Sequence, residues 1–322
     1  MSRPVSSRDI AESGLFVAAT LTLVLLGVTF LRPLLYLLPT PLAVVTRRRG
    51  WVWGALAAIG VTLLSVFLVG ADAGGVLVLA SAGLVIGGIS RYPWQAVPVV
   101  MVGSVVLALG LVALLAAWAG VAGQSLTSWY DQLLAALHRG IVELYHQTLT
   151  GVQQEQAIAQ AEALLAPLRL LWPAALLISS GGIALVNYGL LRLLLHRLGD
   201  EIPAGPSFSR WHLPWPFLWG LIAGLAAMYL AEPLSGQLGA SGRTVLQAIG
   251  LNLEAIFSLV FGVQGVALVW FWLERTGVTP VWRWLVVVLA FLWPLMWMAL
   301  VLAGALDSWF DWRKLEHHEE VR

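Results

Sequence analysis

Residues 249–273 read IGLNLEAIFSLVFGVQGVALVWFWL. About 20 apolar residues in a helix cross the hydrocarbon core of a bilayer, so this run is long enough to span one. It also holds Asn252, Glu254 and Gln264. Polar and ionisable side chains are costly in a span, so each needs a protein partner, a ligand or a water-filled wall. On a helical wheel Gln247, Glu254 and Ser258 share one stripe, whereas Asn252 and Gln264 stand roughly 120° apart. Glu254 sits about two turns from the outer end, which makes it part of an outward-facing polar wall rather than a deep proton relay.

The rest of the chain has the same character. Of its 322 residues 59% are hydrophobic and 11% charged, against about 45–50% and about 25% in soluble domains. Mean hydropathy is +0.85, and the apolar residues come in blocks rather than stripes, so the class is an all-α polytopic membrane bundle. A net charge of +1 leaves no basic surface for nucleic acid. The absence of cysteine excludes disulfides, thiol catalysis and thiolate metal sites. The first apolar run follows a polar leader with Arg3, Arg8, Asp9 and Glu12 and has no small-residue cleavage site, which predicts an uncleaved first span.

Eight long spans are predicted, at 15–31, 52–69, 76–89, 97–119, 170–191, 214–230, 249–273 and 285–306. The segment 34–45 is short and interrupted by Pro39 and Pro41, and reads as a short tilted span or a re-entrant segment. Arg47-Arg48-Arg49 marks a cytoplasmic turn by the excess of Arg and Lys in short inner loops. Arg91, Arg192, Arg197, Arg210, Arg275 and Arg283 then also fall inside, and 120–169 and the C-terminus outside. The side of the N-terminus depends on whether 34–45 spans. Many of the 17 tryptophans, among them Trp51, Trp53, Trp94, Trp129 and Trp309, fall at predicted span ends, where an apolar ring with a polar N–H is favoured.

Residues 120–169 form an outer insertion. Leu126, Trp129, Tyr130, Leu133, Leu137, Ile141, Leu144 and Tyr145 recur at helical spacing, which predicts an amphipathic helix capped at Ser125 or Thr127 and broken at Gly151. A more polar helix follows and ends near Pro167. The pair is expected to rest on the membrane surface or on neighbouring spans, with a lid over an outward cavity as the functional alternative. Of His138, Glu143 and His146, spaced 5 and 3 apart, Glu143 and His146 share a face, and no third ligand for a metal is indicated.

Close helix packing in lipid relies on small residues. Gly14-x-x-x-Ala18, Gly54-x-x-x-Ala58, Gly83-x-x-x-Gly87 and Gly220-x-x-x-Gly224 supply them, most simply for contacts within the chain. Ser179, Ser180, Asn187 and Tyr188 are the polar groups of the 170–191 span. Asp307 and Asp311 near the C-terminus could hold a cation and a diphosphate, but a solvated, aromatic-anchored helix end is the simpler expectation. His317-His318-Glu319-Glu320 reads as a polar tail. No P-loop, His-Glu-x-x-His or Gly-x-Ser-x-Gly is present, so no enzyme and no cofactor is expected.

The order Gly250-Leu251-Asn252-Leu253-Glu254, Gln264-Gly265-Val266-Ala267 and Leu306-Asp307-Ser308-Trp309-Phe310-Asp311-Trp312-Arg313-Lys314 resembles the YybS-like family of predicted bacterial membrane proteins, of unknown function. Residues 1–199, with a small-residue first span, a proline-rich start to the second segment, the Thr46–Gly50 turn and a glycine-rich segment ending at Arg91, resemble the S components of energy-coupling-factor transporters. That resemblance implies a six-segment bundle over 1–199, extended here by three further helices over 200–322. It also implies a bacterial inner-membrane protein that binds or transports a small molecule with a separate energising subunit. Asn187, Asn252, Glu254 and Gln264 are then the candidate substrate contacts. The alternative is a non-transporting membrane scaffold. A cavity lined by those four side chains favours the first, and a packed interior with the polar groups bonded to one another favours the second.

Overall fold

A computed structural model describes residues 7–92, 96–200, 202 and 207–315. Arg3, Trp94 and the 317–320 tail lie outside these residues. Twelve helices are found among the described residues, and no strand. They are α1 (Ser7–Thr29), α2 (Pro39–Arg49), α3 (Trp51–Val69), α4 (Ala73–Ile89), α5 (Ala96–Val121), α6 (Leu126–Thr148), α7 (Val152–Leu165), α8 (Leu168–Arg197), α9 (Leu218–Leu230), α10 (Ser235–Arg275), α11 (Pro280–Leu292) and α12 (Pro294–Phe310). The chain divides into two compact units, residues 1–154 with 176–205 and residues 155–175 with 206–322.

Every predicted apolar segment is helical, but the long spans number fewer than eight. Among the described residues five helices are long and apolar enough to cross a membrane, or six if the bent pair α11 and α12 counts as one. The predicted 76–89 and 214–230 spans form shorter apolar helices, Ala73–Ile89 and Trp215–Leu230. The predicted 285–306 span is broken by a bend of 108°. The cause is Pro294. It restricts the residue before it to extended backbone, and Trp293 adopts φ −115° and ψ 112°.

In the first unit the short segment is neither a simple span nor broken by its prolines. A 3₁₀ turn, Arg32–Leu37, leads into α2, whose first turn carries Pro39 and Pro41. Helical N–H groups there have no intrahelical acceptor, so proline costs nothing and starts the helix instead. Residues 39 to 46 are all buried. An 11-residue helix is only about 16 Å long, half of the ~30 Å hydrocarbon core. α2 packs on α1, α3 and α4. The Gly83-x-x-x-Gly87 stripe of α4 permits this: a Cβ at Gly83 would lie 2.5 Å from the Pro39 carbonyl oxygen, and one at Gly87 would overlap the Ala43 backbone. Gly54 on α3 makes room for Thr46 in the same way. Gly14, by contrast, has open space beyond it. Outward side chains such as Phe67, at 88% exposure, are apolar and suited to lipid.

α6 begins as expected: Ser125 Oγ accepts the Ser128 N–H at 3.1 Å. Gly151, at φ +62°, ends the connection before α7.

The second unit is organised by α10. Its first turn is set off by Gly239, at φ 68°. α9 crosses α10 where a Cβ at Gly224 would meet the Glu254 nitrogen at 2.7 Å and one at Gly250 the Met228 nitrogen at 2.6 Å. α12 lies on α10 over Gly265 and Gly304, each set against the other helix's backbone. Leu221, Phe261, Val301 and Ala305 form the core between these helices. The turn from α10 to α11 is tied by Arg283, whose Nη1 donates to Glu274 Oε1 at 2.9 Å and whose Nε donates to the Val278 carbonyl at 2.7 Å.

Candidate functional site

Asn187, in the first unit, is fully buried. Its Oδ1 accepts the Thr40 hydroxyl at 2.7 Å. Its Nδ2 donates to the Tyr36 carbonyl at 2.7 Å and to the Ile183 carbonyl at 2.8 Å. The amide therefore fastens α8 to the junction between the 3₁₀ turn and α2. An unpaired buried amide costs about 1–3 kcal/mol, so these bonds explain why a polar residue is tolerated here.

Asn252, in the second unit, serves the proline-containing stretch of α8. Pro173 lies inside α8, where it removes an N–H from the ladder and its ring crowds the preceding turn. Asn252 Oδ1 accepts the Ala174 N–H at 2.7 Å, and Asn252 Nδ2 donates to the Leu170 carbonyl at 2.6 Å. Those two backbone groups are the i and i−4 partners that pair in a regular helix. The side chain thus bonds both groups of one helical pair beside the proline. A third bond, to the Ala248 carbonyl at 2.7 Å, fixes the amide on its own helix.

Gln264 lies roughly 18 Å further along α10 at 1.5 Å per residue and belongs to a different cluster. It is fully buried. Its Nε2 donates to Asp307 Oδ2 at 3.1 Å and to Ser308 Oγ at 2.9 Å, and its Oε1 accepts the Leu213 N–H at 3.1 Å. Asp307 pairs with Arg313 through Nη2 at 2.6 Å and Nε at 3.1 Å. Both side chains are 0% exposed. Arg313 also donates to the carbonyls of Ser209 at 2.8 Å and Trp211 at 2.9 Å. One network thus holds α10, the end of α12 and the 209–213 segment. The expectation of a solvated Asp307 is corrected: the chain turns back at Asp311, at φ 40°, and brings Arg313 onto it. Asp311 does not join it as a cation pair; its Oδ1 accepts the Leu315 N–H at 2.9 Å. The neighbouring Trp309 and Phe310 rings remain exposed, at 63% and 62%.

Glu254 is half-buried, and its Oε1 accepts the Ser258 hydroxyl at 2.6 Å. Of the four candidate contacts, Asn187 belongs to the first unit and the other three to the second. Within the second unit Asn252, Glu254 and Gln264 each have separate partners and share none. The predicted stripe of Glu254 and Ser258 is present, and the wheel separation of Asn252 and Gln264 sends them to α8 and α12 respectively. In the outer insertion Gln147 donates to Glu143 at 2.9 Å and Gln154 contacts His146 Nδ1. Among the described residues no three His, Cys, Asp or Glu side chains stand together as a metal site.

The arginine turn proves to be more than a topological mark. Arg47, Arg48, Arg49 and Asp200 line an open pocket of about 330 Å³ in the first unit. Arg48 pairs with Glu12 and, through Nε, with Asp200 at 2.8 Å; Arg49 pairs with Glu12 at 2.7 Å. Arg91 donates to the Thr46 carbonyl at 3.4 Å. Burial, and then the nearby Arg91 charge, hold Arg47 below the usual arginine range, while Asp200 acts the other way. Sequence reasoning weighed these side chains only as a loop signal. The hint it passed over is the pairing of Arg48 and Arg49 with acidic groups far along the chain, which periodicity cannot reveal. It also passed over Arg313, whose role needs the reversal at Asp311.

No curated protein and no solved structure matches the chain. A family model does, over residues 16–308, and it is described as "Predicted membrane protein (DUF2232)". With nearly the whole chain matched, this multi-pass helical membrane protein belongs to the uncharacterised DUF2232 family of predicted membrane proteins.

Proposed function

We propose that the chain is a non-catalytic membrane scaffold: its in-membrane polar side chains hold its own helices, and its exposed faces engage a partner subunit. The observation that carries this reading is the Gln264–Asp307–Ser308–Arg313 network, in which Asp307 Oδ2 accepts from both Gln264 and Arg313 and Gln264 also donates to Ser308. The Asn187 and Asn252 amides are used in the same way. A side chain whose bonds are already made inside the protein offers a substrate little without breaking them. In this reading the protein sits in the bacterial inner membrane. Eight crossings would require α4, about 26 Å long, to cross a locally thinned bilayer, α9 to cross with its 3₁₀ lead-in, and the bent pair to cross as one.

A second reading keeps the likeness to the YybS-like family and to S components, with a small molecule bound between helices and an energising subunit supplied separately. One observation favours it: Glu254 is a half-buried carboxylate in an apolar helix, with a single hydroxyl bonded to it. Native mass spectrometry of the protein extracted from its own membrane in mild detergent separates the two. The scaffold reading expects a protein partner at fixed stoichiometry, and no small molecule whose retention depends on Asn187, Asn252, Glu254 or Gln264. A stoichiometric small molecule that is lost from the Glu254→Gln protein overturns it in favour of the second reading.

A further inference from the structure

We infer that the pocket formed by Arg47, Arg48, Arg49 and Asp200 binds a phosphate-type anion, gripped by the Arg47 guanidinium with the Tyr188 hydroxyl as an additional donor. The charge balance is the first support. Four guanidinium groups gather here, Arg47, Arg48, Arg49 and Arg91, and among the described residues Glu12 and Asp200 are carboxylates that pair with them. Glu12 is shared by Arg48 and Arg49, and Asp200 is bonded to Arg48 Nε. Neither carboxylate is bonded to Arg47 among the described residues. Among the described side chains the surroundings of Arg47 are thus rich in guanidinium groups, which suits an anion.

The second support is the state of the donors. An arginine present only to set topology would extend into water. Arg47 is instead partly buried, and burial together with Arg91 disfavours its charge. A bound anion relieves that penalty. Tyr188 is 3% exposed, its hydroxyl has no hydrogen-bond partner among the described residues, and it lies within electrostatic reach of Arg47 and Arg192. A buried hydroxyl without an acceptor is rare, and an anion oxygen at Arg47 would supply one. The third support is size. At about 330 Å³ the pocket falls in the range of small-ligand sites and exceeds the volume of one phosphate. The planar guanidinium fork matches two phosphate oxygens, as an ammonium does not. The phosphate can belong to a lipid headgroup or to a soluble phosphorylated compound. This inference stands apart from the scaffold reading, since no residue named there lines the pocket.

The test uses the full-length chain. In one arm, thermal unfolding in a maltoside detergent is followed with inorganic phosphate against chloride at equal ionic strength. In the other, native mass spectrometry counts phosphatidylglycerol retained from mixed phosphatidylcholine nanodiscs. The expected result is stabilisation or retention in at least one arm. Arg47→Gln should weaken the response roughly tenfold or more, Arg47→Lys by less, and Tyr188→Phe a few-fold, while the exposed Arg197→Gln leaves it unchanged. A response to phosphate alone identifies a soluble compound, and a response to phosphatidylglycerol alone identifies a lipid; both support the site. Equal responses to phosphate and chloride with no retained lipid overturn it, as does a Tyr188→Phe and Arg47→Lys pair that both behave as wild type. These two milder variants keep the test decisive should Arg47→Gln fail to fold.

Discussion

Replacing Arg313 by leucine removes one side chain and leaves several buried groups without partners. The guanidinium makes four bonds: two to Asp307 Oδ2, at 2.6 and 3.1 Å, one to the Ser209 carbonyl at 2.8 Å and one to the Trp211 carbonyl at 2.9 Å. Both partners of the ion pair are 0% exposed, so the remaining carboxylate cannot turn to water. Removing one partner of a buried pair costs about 3–5 kcal/mol. Gln264 Nε2 and its single bond to Asp307 cannot offset a charge. Replacing both Asp307 and Arg313 by leucine removes the uncompensated carboxylate, so the double variant should be more stable than Arg313→Leu alone. Equilibrium unfolding in mixed micelles, with the double-mutant cycle completed by Asp307→Leu, measures the coupling. An Arg313→Leu loss within about 0.5 kcal/mol, the usual size of a surface substitution, would refute the reasoning, because it would mean that Asp307 reaches water.

Three more outcomes follow from the same geometry. Asn252→Leu removes the side-chain bonds to the Leu170 carbonyl and Ala174 N–H and should cost about 1–3 kcal/mol; Pro173→Ala in the same chain should recover part of that loss in the same unfolding assay. Gly265→Leu and Gly87→Leu each force a side chain into the backbone of a packed helix, and should abolish accumulation of folded protein in membranes, whereas Gly14→Leu, with open space beyond it, should accumulate normally. Glu254→Gln keeps an acceptor for the Ser258 hydroxyl, so its stability should change by less than about 0.5 kcal/mol, and the scaffold reading expects its partner binding to be retained.

Class and helix positions were legible because lipid imposes one strong rule: a backbone in hydrocarbon must pair with itself, so apolar blocks become helices. The Gly83 and Gly220 stripes could be read for the same reason, since small residues at intervals of four announce close helix contact. The span count was less legible. Hydropathy scores the 34–45 segment, α4 and α9 as apolar without showing that α2 is enclosed by other helices or that Pro294 bends a continuous run by 108°. The candidate contacts were picked as costly polar residues, but cost alone does not distinguish a substrate from a carbonyl. Asn252 answers to Pro173, and Gln264 to Asp307 and Arg313, across separations of 78 to 82 residues in one case and 43 in the other. Only the folded chain supplies those pairings.

The absence of cysteine gives a clean measurement of the central claim, that the in-membrane polar groups form dry locks between helices and line no cavity. Single cysteines at Ser308, beside Gln264, and at Thr40, beside Asn187, change little in volume and probe two of the clusters directly. Both are exposed to a water-soluble thiol reagent in the membrane, with the exposed Thr127→Cys as the reference. The locks predict that Ser308→Cys and Thr40→Cys stay unlabelled while Thr127→Cys reacts to completion. Labelling of either buried position at the rate of the reference would reveal a water-filled cavity and contradict the account.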